Sequence, residues 1–346
     1  MSIGEPRDWG GQKKINFALQ GGGSHGAFTW GVLDCILEDG RLDIEAISGT
    51  SAGAMNAAVY AQGYLEAGRE GARRALESFW RSVSEQSAFL PMRRDALENL
   101  SDKWSFARSS SYWWMDFVTH FASPYEFNPL NLNPLREHLV KAVDFEKVRA
   151  CTDIQIFVAA TNVETGRIRV FERPELTAEH IMASACLPFL FQTVEIDGAP
   201  YWDGGYMGNP PLFPLFYKTA CPDVAIVQIN PIERSGTPRT AREIQNRLTE
   251  ITFNSSLMGE FRAIDFVCKL LDAGKLSPEA YVRPFIHRIE ADKELAAYTA
   301  ASKFDTSWSF LTQLRDIGRE AAKRWLAVNY DAIGRKGTLD LRMAFN

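Results

Sequence analysis

Residues 44–61 read IEAISGTSAGAMNAAVYA, and this stretch changes character at its glycine-flanked centre. The apolar run Ile44–Ile47 has the composition of a buried strand. The small residues of Ala52–Ala61 have high helix propensity. This order predicts a strand, a sharp turn carrying Ser51, and a helix.

The turn matches the pattern G-x-S-x-G, in which Ser51 stands between Gly49 and Gly53. Glycines at both positions remove the Cβ atoms that would collide with neighbouring backbone, so the serine hydroxyl is left exposed. The following helix points its positive end towards this hydroxyl and favours an anion there. The sequence therefore predicts a nucleophile elbow with Ser51 as the nucleophile.

An earlier segment repeats the order of strand, turn and helix. The run INFALQ at 15–20 is followed by GGGSHG at 21–26, and Ala27–Leu37 then shows helical spacing of apolar residues. Further strands, with helical stretches between them, are predicted at Ile154–Ala160, Arg167–Phe171 and Val224–Ile229. This alternation predicts an α/β fold, with helices on both sides of a central, mainly parallel sheet.

The glycine-rich turn has two interpretations. Its backbone amides can converge on a phosphate or on the oxyanion of an ester under attack. It also satisfies G-x-G-x-x-G, the dinucleotide fingerprint, which requires an acidic residue at the end of the second strand. That strand instead runs into the Ser51 turn, and Asp43 precedes it. We therefore favour an oxyanion hole, with candidate amides from Gly21, Gly22, Gly23, Ser24 and Gly26.

A third motif, Asp203-Gly204-Gly205, follows the strand-like pair Tyr201-Trp202. An aspartate beside paired glycines is typical of an ordinary turn, so this motif gains weight only in combination with the other two.

Bulk properties exclude several classes of protein. A formal net charge of -5 over 346 residues provides no overall positive field for nucleic acid. The five cysteines are widely spaced, the five histidines lack metal-type spacing, and no EF-hand loop occurs, so we expect no disulfide, metal or cofactor. The sequence has no signal-peptide pattern and no apolar run of about 18 residues, which predicts a cytoplasmic protein.

The chain divides into three parts by composition. We expect a main domain over 15–232 and a mainly helical C-terminal extension over 239–346. Within the first, 86–135 is rich in aromatic residues and predicts either a packed helical insertion or a lid that contacts lipid. Peripheral membrane contact is expected through residues 104–125 or the C-terminal helix, and a homo-oligomer is left open.

In combination, the motifs resemble the patatin-like phospholipase family: G-x-G-x-x-G, then GTSAG, then DGG about 150 residues further on. The resemblance extends over residues 15 to about 232, and the C-terminal part resembles the extension of a bacterial subgroup. It implies a three-layer α/β/α patatin-like fold and hydrolysis of lipid or fatty-acyl esters through an acyl-enzyme.

The resemblance also implies roles for individual residues. Ser51 is then the nucleophile of a Ser/Asp dyad, Asp203 is its general base, and the backbone amides of Gly22, Gly23 and Ser24 form the oxyanion hole. A carboxyl group at its reference pKa of about 3.9 is a weak base for serine. We therefore expect partial burial beside Trp202 and the glycine loop to raise the pKa of Asp203.

Three alternatives remain at the level of sequence. An α/β-hydrolase-like esterase would use a Ser/Asp/His triad, for which His287 is the only histidine after Asp203. An acyltransferase would use the same dyad with an acceptor other than water. A lipid-binding or protein-binding module would keep the fold without catalysis.

Overall fold

The computed structural model describes residues 12–87, 123–234, 236–277, 280–298 and 300–345. Most of the predicted aromatic insertion at 86–135, including every tryptophan in it, lies outside the described residues. In the part of the chain that the structure describes, no helix is long and apolar enough to cross a membrane.

The described residues form a sheet of eight strands in the order β5-β6-β3-β2-β1-β7-β8, with β4 paired to β3. The strands are β1 (Lys13–Leu19), β2 (Leu42–Gly49), β3 (Gln155–Asn162), β4 (Ile168–Glu172), β5 (Val194–Ile196), β6 (Ala199–Asp203), β7 (Asp223–Val227) and β8 (Phe285–Ile289). The neighbouring strands β3, β2, β1, β7 and β8 are all parallel to one another. Strands β4 and β6 run antiparallel to β3, and β5 runs antiparallel to β6.

Helices flank the sheet and alternate with its central strands. They are α1 (Gly26–Asp39), α2 (Ala52–Ser87), α3 (Pro124–Phe127), α4 (Pro134–Ala142), α5 (Phe145–Ala150), α6 (Ala178–Ser184), α7 (Phe213–Lys218), α8 (Ala241–Asp272), α9 (Asp292–Leu295), α10 (Trp308–Asn329) and α11 (Leu341–Phe345). Helix α2 is kinked at Ala67 and Gly68, whose dihedral angles are not helical. Short 3-10 turns at Gly23–His25, Gly204–Tyr206 and Ala300–Phe304 surround the candidate site.

The buried strand β1 shows how the two faces of the sheet are covered. Ile15, Phe17 and Leu19 point to one face, where they join a core that includes α1, α2 and α10. Ala18 points to the other face and joins a second core, which contains Leu257 of α8. Helices therefore cover both faces of the sheet, and the predicted three-layer α/β/α fold is confirmed.

The C-terminal residues are built into this architecture. Strand β8 pairs in parallel with β7 and extends the central sheet by one strand. Leu311 and Leu314 of α10 are fully buried in the larger core with α1. The region after residue 239 therefore contributes to the same sheet and cores that position the glycine loop.

Candidate active site

Ser51 stands on the predicted elbow between the end of β2 and the start of α2. Its φ of 53° lies in the left-handed region, which is strained for a residue other than glycine. The Ser51 amide donates to Ser184 Oγ at 2.9 Å, and the Thr50 hydroxyl donates to the Gly208 carbonyl at 2.6 Å. These bonds hold the strained turn from both sides.

The elbow also needs its two glycines. A Cβ atom on Gly49 would lie 2.7 Å from the Gly53 carbonyl, and one on Gly53 would collide with the Leu19 carbonyl of β1. The close approach of the turn to β1 explains the G-x-S-x-G pattern in steric terms.

Asp203 ends β6 and lies at the same edge of the sheet as Ser51. Its position follows from the sheet, because Asp203 pairs with Ala160 of β3 while Gly49 of β2 pairs with Val158 two residues earlier. The Asp203 side chain is buried, and its Oδ1 accepts a hydrogen bond from the Gly205 amide at 2.7 Å. The Ser51 side chain lies close enough to this carboxylate to lower its pKa. Two residues about 150 positions apart in the chain are thus brought close together.

The environment of Asp203 changes its acidity. Burial raises the pKa of Asp203 to about 7, although hydrogen bonds from Gly205 and Ser51 and the positive charge of Lys303 act in the opposite direction. A carboxylate with a pKa near neutrality is well matched to take and return a proton at physiological pH.

The glycine loop lies directly beside Ser51. A Cβ atom on Gly21 would be 2.8 Å from Ser51 Cβ, so only glycine fits there. The 3-10 turn Gly23–His25 follows, and Gly23 itself has a φ of 58°. For the amides of Gly22, Gly23 and Ser24, no acceptor is found among the described residues.

The other two candidate amides of this loop are occupied. The Gly21 amide donates to Asn209 Oδ1 at 2.7 Å, and the Gly26 amide donates to carbonyls of the preceding turn. An amide that already has an internal acceptor is a poor preorganised donor to an oxyanion, which leaves Gly22, Gly23 and Ser24, the three amides that the resemblance implies. The side chain of Asn209, which the sequence did not single out, instead fixes the start of the loop.

Three further side chains, those of Gln20, Asn230 and Lys303, form hydrogen bonds around the start of the loop, next to the end of β7. Gln20 Oε1 accepts from the amides of Ile229 and Asn230, both at 2.9 Å. Asn230 Nδ2 donates to the Gly21 carbonyl at 2.8 Å, and Lys303 Nζ donates to Asn230 Oδ1 at 2.6 Å. No local pattern in the sequence marks Asn230 or Lys303, because their roles depend on contacts between distant segments.

His287 does not take part in this constellation. Its Nε2 bonds to Asp223 Oδ1 and its Nδ1 to Thr338 Oγ1, both at 2.9 Å. Strand β8, which carries His287, is separated from β2 by β1 and β7, a displacement of about 14 Å at the usual strand spacing. The fold therefore does not bring His287 together with Ser51 and Asp203, because this histidine is bonded to a different aspartate, Asp223 of β7.

Among the residues that the structure describes, no group of three or more His, Cys, Asp or Glu side chains is arranged to hold a metal ion. The five cysteines are all free thiols, and four of them are buried.

Two solved structures resemble the chain at low sequence identity. VipD from Legionella pneumophila is 14% identical with a TM-score of 0.42, and the match covers 90% of this chain and 66% of VipD. The complex of ExoU with SpcU from Pseudomonas aeruginosa contains a chain that is 15% identical with a TM-score of 0.37. This match covers 91% of the present chain and 52% of the chain in that complex. The chain thus spans 66% or less of the length of these relatives. No curated protein matches the chain significantly.

A family model gives a more direct result. The model for patatin-like phospholipases matches residues 17–216, which is more than half of the chain. The match includes the glycine loop, Ser51 and Asp203, the same residues that the fold brings together. The chain belongs to the patatin-like phospholipase family, a family of lipid hydrolases.

Proposed function

We propose that this chain is a serine-dependent lipid acyl hydrolase, a carboxylic ester hydrolase that works through a Ser51/Asp203 dyad and an acyl-enzyme. The observation that carries the proposal is the closeness of Ser51, on its strained turn, to the buried Asp203 carboxylate, whose pKa the Ser51 side chain lowers. A nucleophile and its base must be within hydrogen-bonding reach before substrate binds, or come into reach with it.

In the first step, Asp203 takes the proton of the Ser51 hydroxyl while the serine oxygen attacks the ester carbonyl carbon. The carbonyl oxygen becomes negatively charged and is stabilised by the free amides of Gly22, Gly23 and Ser24. The intermediate collapses, the bond to the alcohol breaks, and Asp203 returns the proton to the leaving oxygen. The products of this step are a free alcohol and an acyl group esterified to Ser51.

In the second step, Asp203 takes a proton from a water molecule that attacks the acyl-enzyme. The same three amides stabilise the second oxyanion, and its collapse releases the fatty acid while Asp203 returns the proton to the Ser51 oxygen.

An apolar substrate is supported by exposed side chains around Asp203. Phe189 is 61% exposed and lies in the loop after Cys186, whose carbonyl accepts the Asp203 amide. Met207 is 42% exposed and follows the Gly204–Tyr206 turn. Exposed apolar residues on both chain segments around the base fit a fatty-acyl chain, and we propose a lipid presented at a membrane surface as the substrate.

The direct test is hydrolysis of a panel of fatty-acyl esters and phospholipids by wild type, Ser51→Ala and the matched control Ser309→Ala, which changes an exposed serine on α10. Ser51→Ala should reduce hydrolysis to background and abolish labelling by a fluorophosphonate probe, since nucleophile and base act as a unit. Ser309→Ala should behave as wild type. Undiminished hydrolysis by Ser51→Ala would refute the proposal.

A further inference from the structure

A short turn of the C-terminal region packs directly against the glycine loop. The Lys303 carbonyl lies 2.5 Å from the position of a Cβ atom on Gly23, so the two backbones are in close contact. In the same turn, Ser302 Oγ is 2.8 Å from His25 Nε2. This turn, Ala300–Phe304, lies outside the 17–216 family match.

The Lys303 side chain continues this contact through hydrogen bonds. Its ammonium donates to Asn230 Oδ1 at 2.6 Å, and Asn230 Nδ2 donates to the carbonyl of Gly21 at 2.8 Å. Gly21 in turn packs against Ser51 and precedes the three free amides. A single ammonium is thus linked, through one asparagine, to the backbone that faces the nucleophile.

The charges around Lys303 leave it without a dedicated counter-ion. Among the described residues, no carboxylate forms a salt bridge with Lys303, because Glu250 of α8 is bound by Arg234 at 2.8 Å and by Arg247 at 3.2 Å. An ammonium that is removed from water and lacks a close anion is costly to maintain. That cost is offset where a negative charge develops nearby during a reaction.

Four titratable or charged groups face the Lys303 ammonium. Burial is the main cause that lowers the pKa of Lys303 to about 8; Arg234 acts in the same direction, and the carboxylates of Glu250 and Asp203 act in the opposite direction. His25 carries no charge at neutral pH, because burial lowers its pKa to about 3. Lys303 is therefore mostly protonated at pH 7, and it provides the positive charge on this side of the loop.

We propose that Lys303 is a positioning residue of the acyl hydrolase site, which holds the glycine loop in shape through Asn230 and places a positive charge beside the forming oxyanion. The inference rests on the proposed function, and it makes the C-terminal region a part of the catalytic unit.

The test compares full-length wild type with Lys303→Met, Lys303→Arg and the matched control Lys336→Met, which changes an exposed lysine of the same region. Lys303→Met should lower kcat about 10²-fold, as loss of an oxyanion-stabilising group does, with little change in KM. Lys303→Arg keeps the charge and should retain at least about a tenth of wild-type kcat. Lys336→Met should match wild type.

The pH profile separates this role from a purely structural one. In wild type, kcat should decrease above about pH 8 as Lys303 loses its proton. In Lys303→Arg this alkaline decrease should be absent up to about pH 10, because the guanidinium stays protonated. In Lys303→Met the rate should be low and flat over the same range. A structural role alone would lower activity without removing the alkaline decrease.

The outcomes distinguish the two proposals. If wild type and Lys303→Met share the same kcat and the same alkaline decrease, the role of Lys303 is refuted while the dyad stands. If no variant, including wild type, hydrolyses esters faster than Ser51→Ala, the proposed function itself fails. If Lys303→Met does not fold, as judged by its thermal unfolding, the Lys303→Arg pH profile alone decides, because an unchanged alkaline decrease there refutes the proposal.

Discussion

Two buried aspartates occupy opposite parts of this molecule, Asp203 beside the glycine loop and Asp223 at the start of β7. Each is about 1% exposed, and each accepts a backbone amide bond, from Gly205 and Gly334 respectively. Asp203 lies close to the strained Ser51 and to the glycine loop with its free amides. Asp223 bonds to His287, which in turn bonds to Thr338.

The difference shows what makes a buried carboxylate useful for catalysis. Thr338, His287 and Asp223 have the hydrogen-bond order of a triad, but the Gly334 amide beside them is already bonded to the Asp223 carboxylate. The dyad lacks a histidine, yet it combines a base, a nucleophile and oxyanion donors at one edge of the sheet. We infer that the glycine loop, more than the choice of base, determines where this fold performs chemistry.

The largest effect is expected from removing the base. Asp203→Asn keeps the side-chain shape but cannot accept the Ser51 proton, so kcat should decrease about 10⁴-fold. Steady-state hydrolysis of a soluble ester measures it. The matched control is Asp197→Asn, at an exposed turn of the β5–β6 hairpin, which should leave kcat unchanged. Comparable activity of the two variants would remove Asp203 from the mechanism.

A smaller loss should follow from removing one amide of the loop. Ser24 is the second residue of a 3-10 turn, and proline is tolerated in the first turn of a helix because the amides there have no partner within the helix. Ser24→Pro deletes the amide and should lower kcat about 10²- to 10³-fold. Ser24→Ala keeps the amide and should retain most of the activity. Equal rates for the two variants, both folded, would mean that this amide does not stabilise the oxyanion.

The acidic side of the pH profile provides a third test. Asp203 acts as a base only when ionised, and burial raises the pKa of Asp203 to about 7. The value of kcat/KM should therefore fall about tenfold for each pH unit below this pKa and level off above it. The measurement uses a neutral ester, so that the substrate does not titrate. A midpoint near pH 4 would show that burial does not raise the pKa of Asp203.

The smallest effect on catalysis is expected at the second aspartate. His287→Ala removes the hydrogen bond to Asp223 in a buried site, which should lower the free energy of unfolding by about 1.5–3 kcal/mol. Below the unfolding temperature, kcat should change less than about twofold, because His287 lies away from the dyad. Thermal unfolding and ester hydrolysis of the same preparation measure both. A large loss of kcat in a folded variant would revive the triad.

The parts of this protein that could be predicted from sequence are those encoded by local patterns. The elbow at Ser51 requires glycines at fixed spacing, and the strand predicted at Val224–Ile229 lies at Asp223–Val227 in the structure. The helix predicted at Ala27–Leu37 is α1. Apolar periodicity and steric demands of one turn are sufficient to indicate such elements.

The remaining features depend on contacts between distant segments. The Gly21 amide is taken by Asn209, 188 residues away, so counting glycines overestimated the number of free donors. Lys303 reaches the loop only because β8 and the following turn return the chain to the sheet. Neither pairing leaves a pattern at its own position in the sequence, and only the folded arrangement reveals it.

The most direct test of the dyad is to find the acyl group during turnover. Wild type mixed with a fatty-acyl ester, quenched in acid within the steady state and digested, should yield by mass spectrometry an acylated peptide with the modification on Ser51. Asp203→Asn under the same conditions should yield far less of it. Turnover by wild type with the acyl group on another residue would contradict the account.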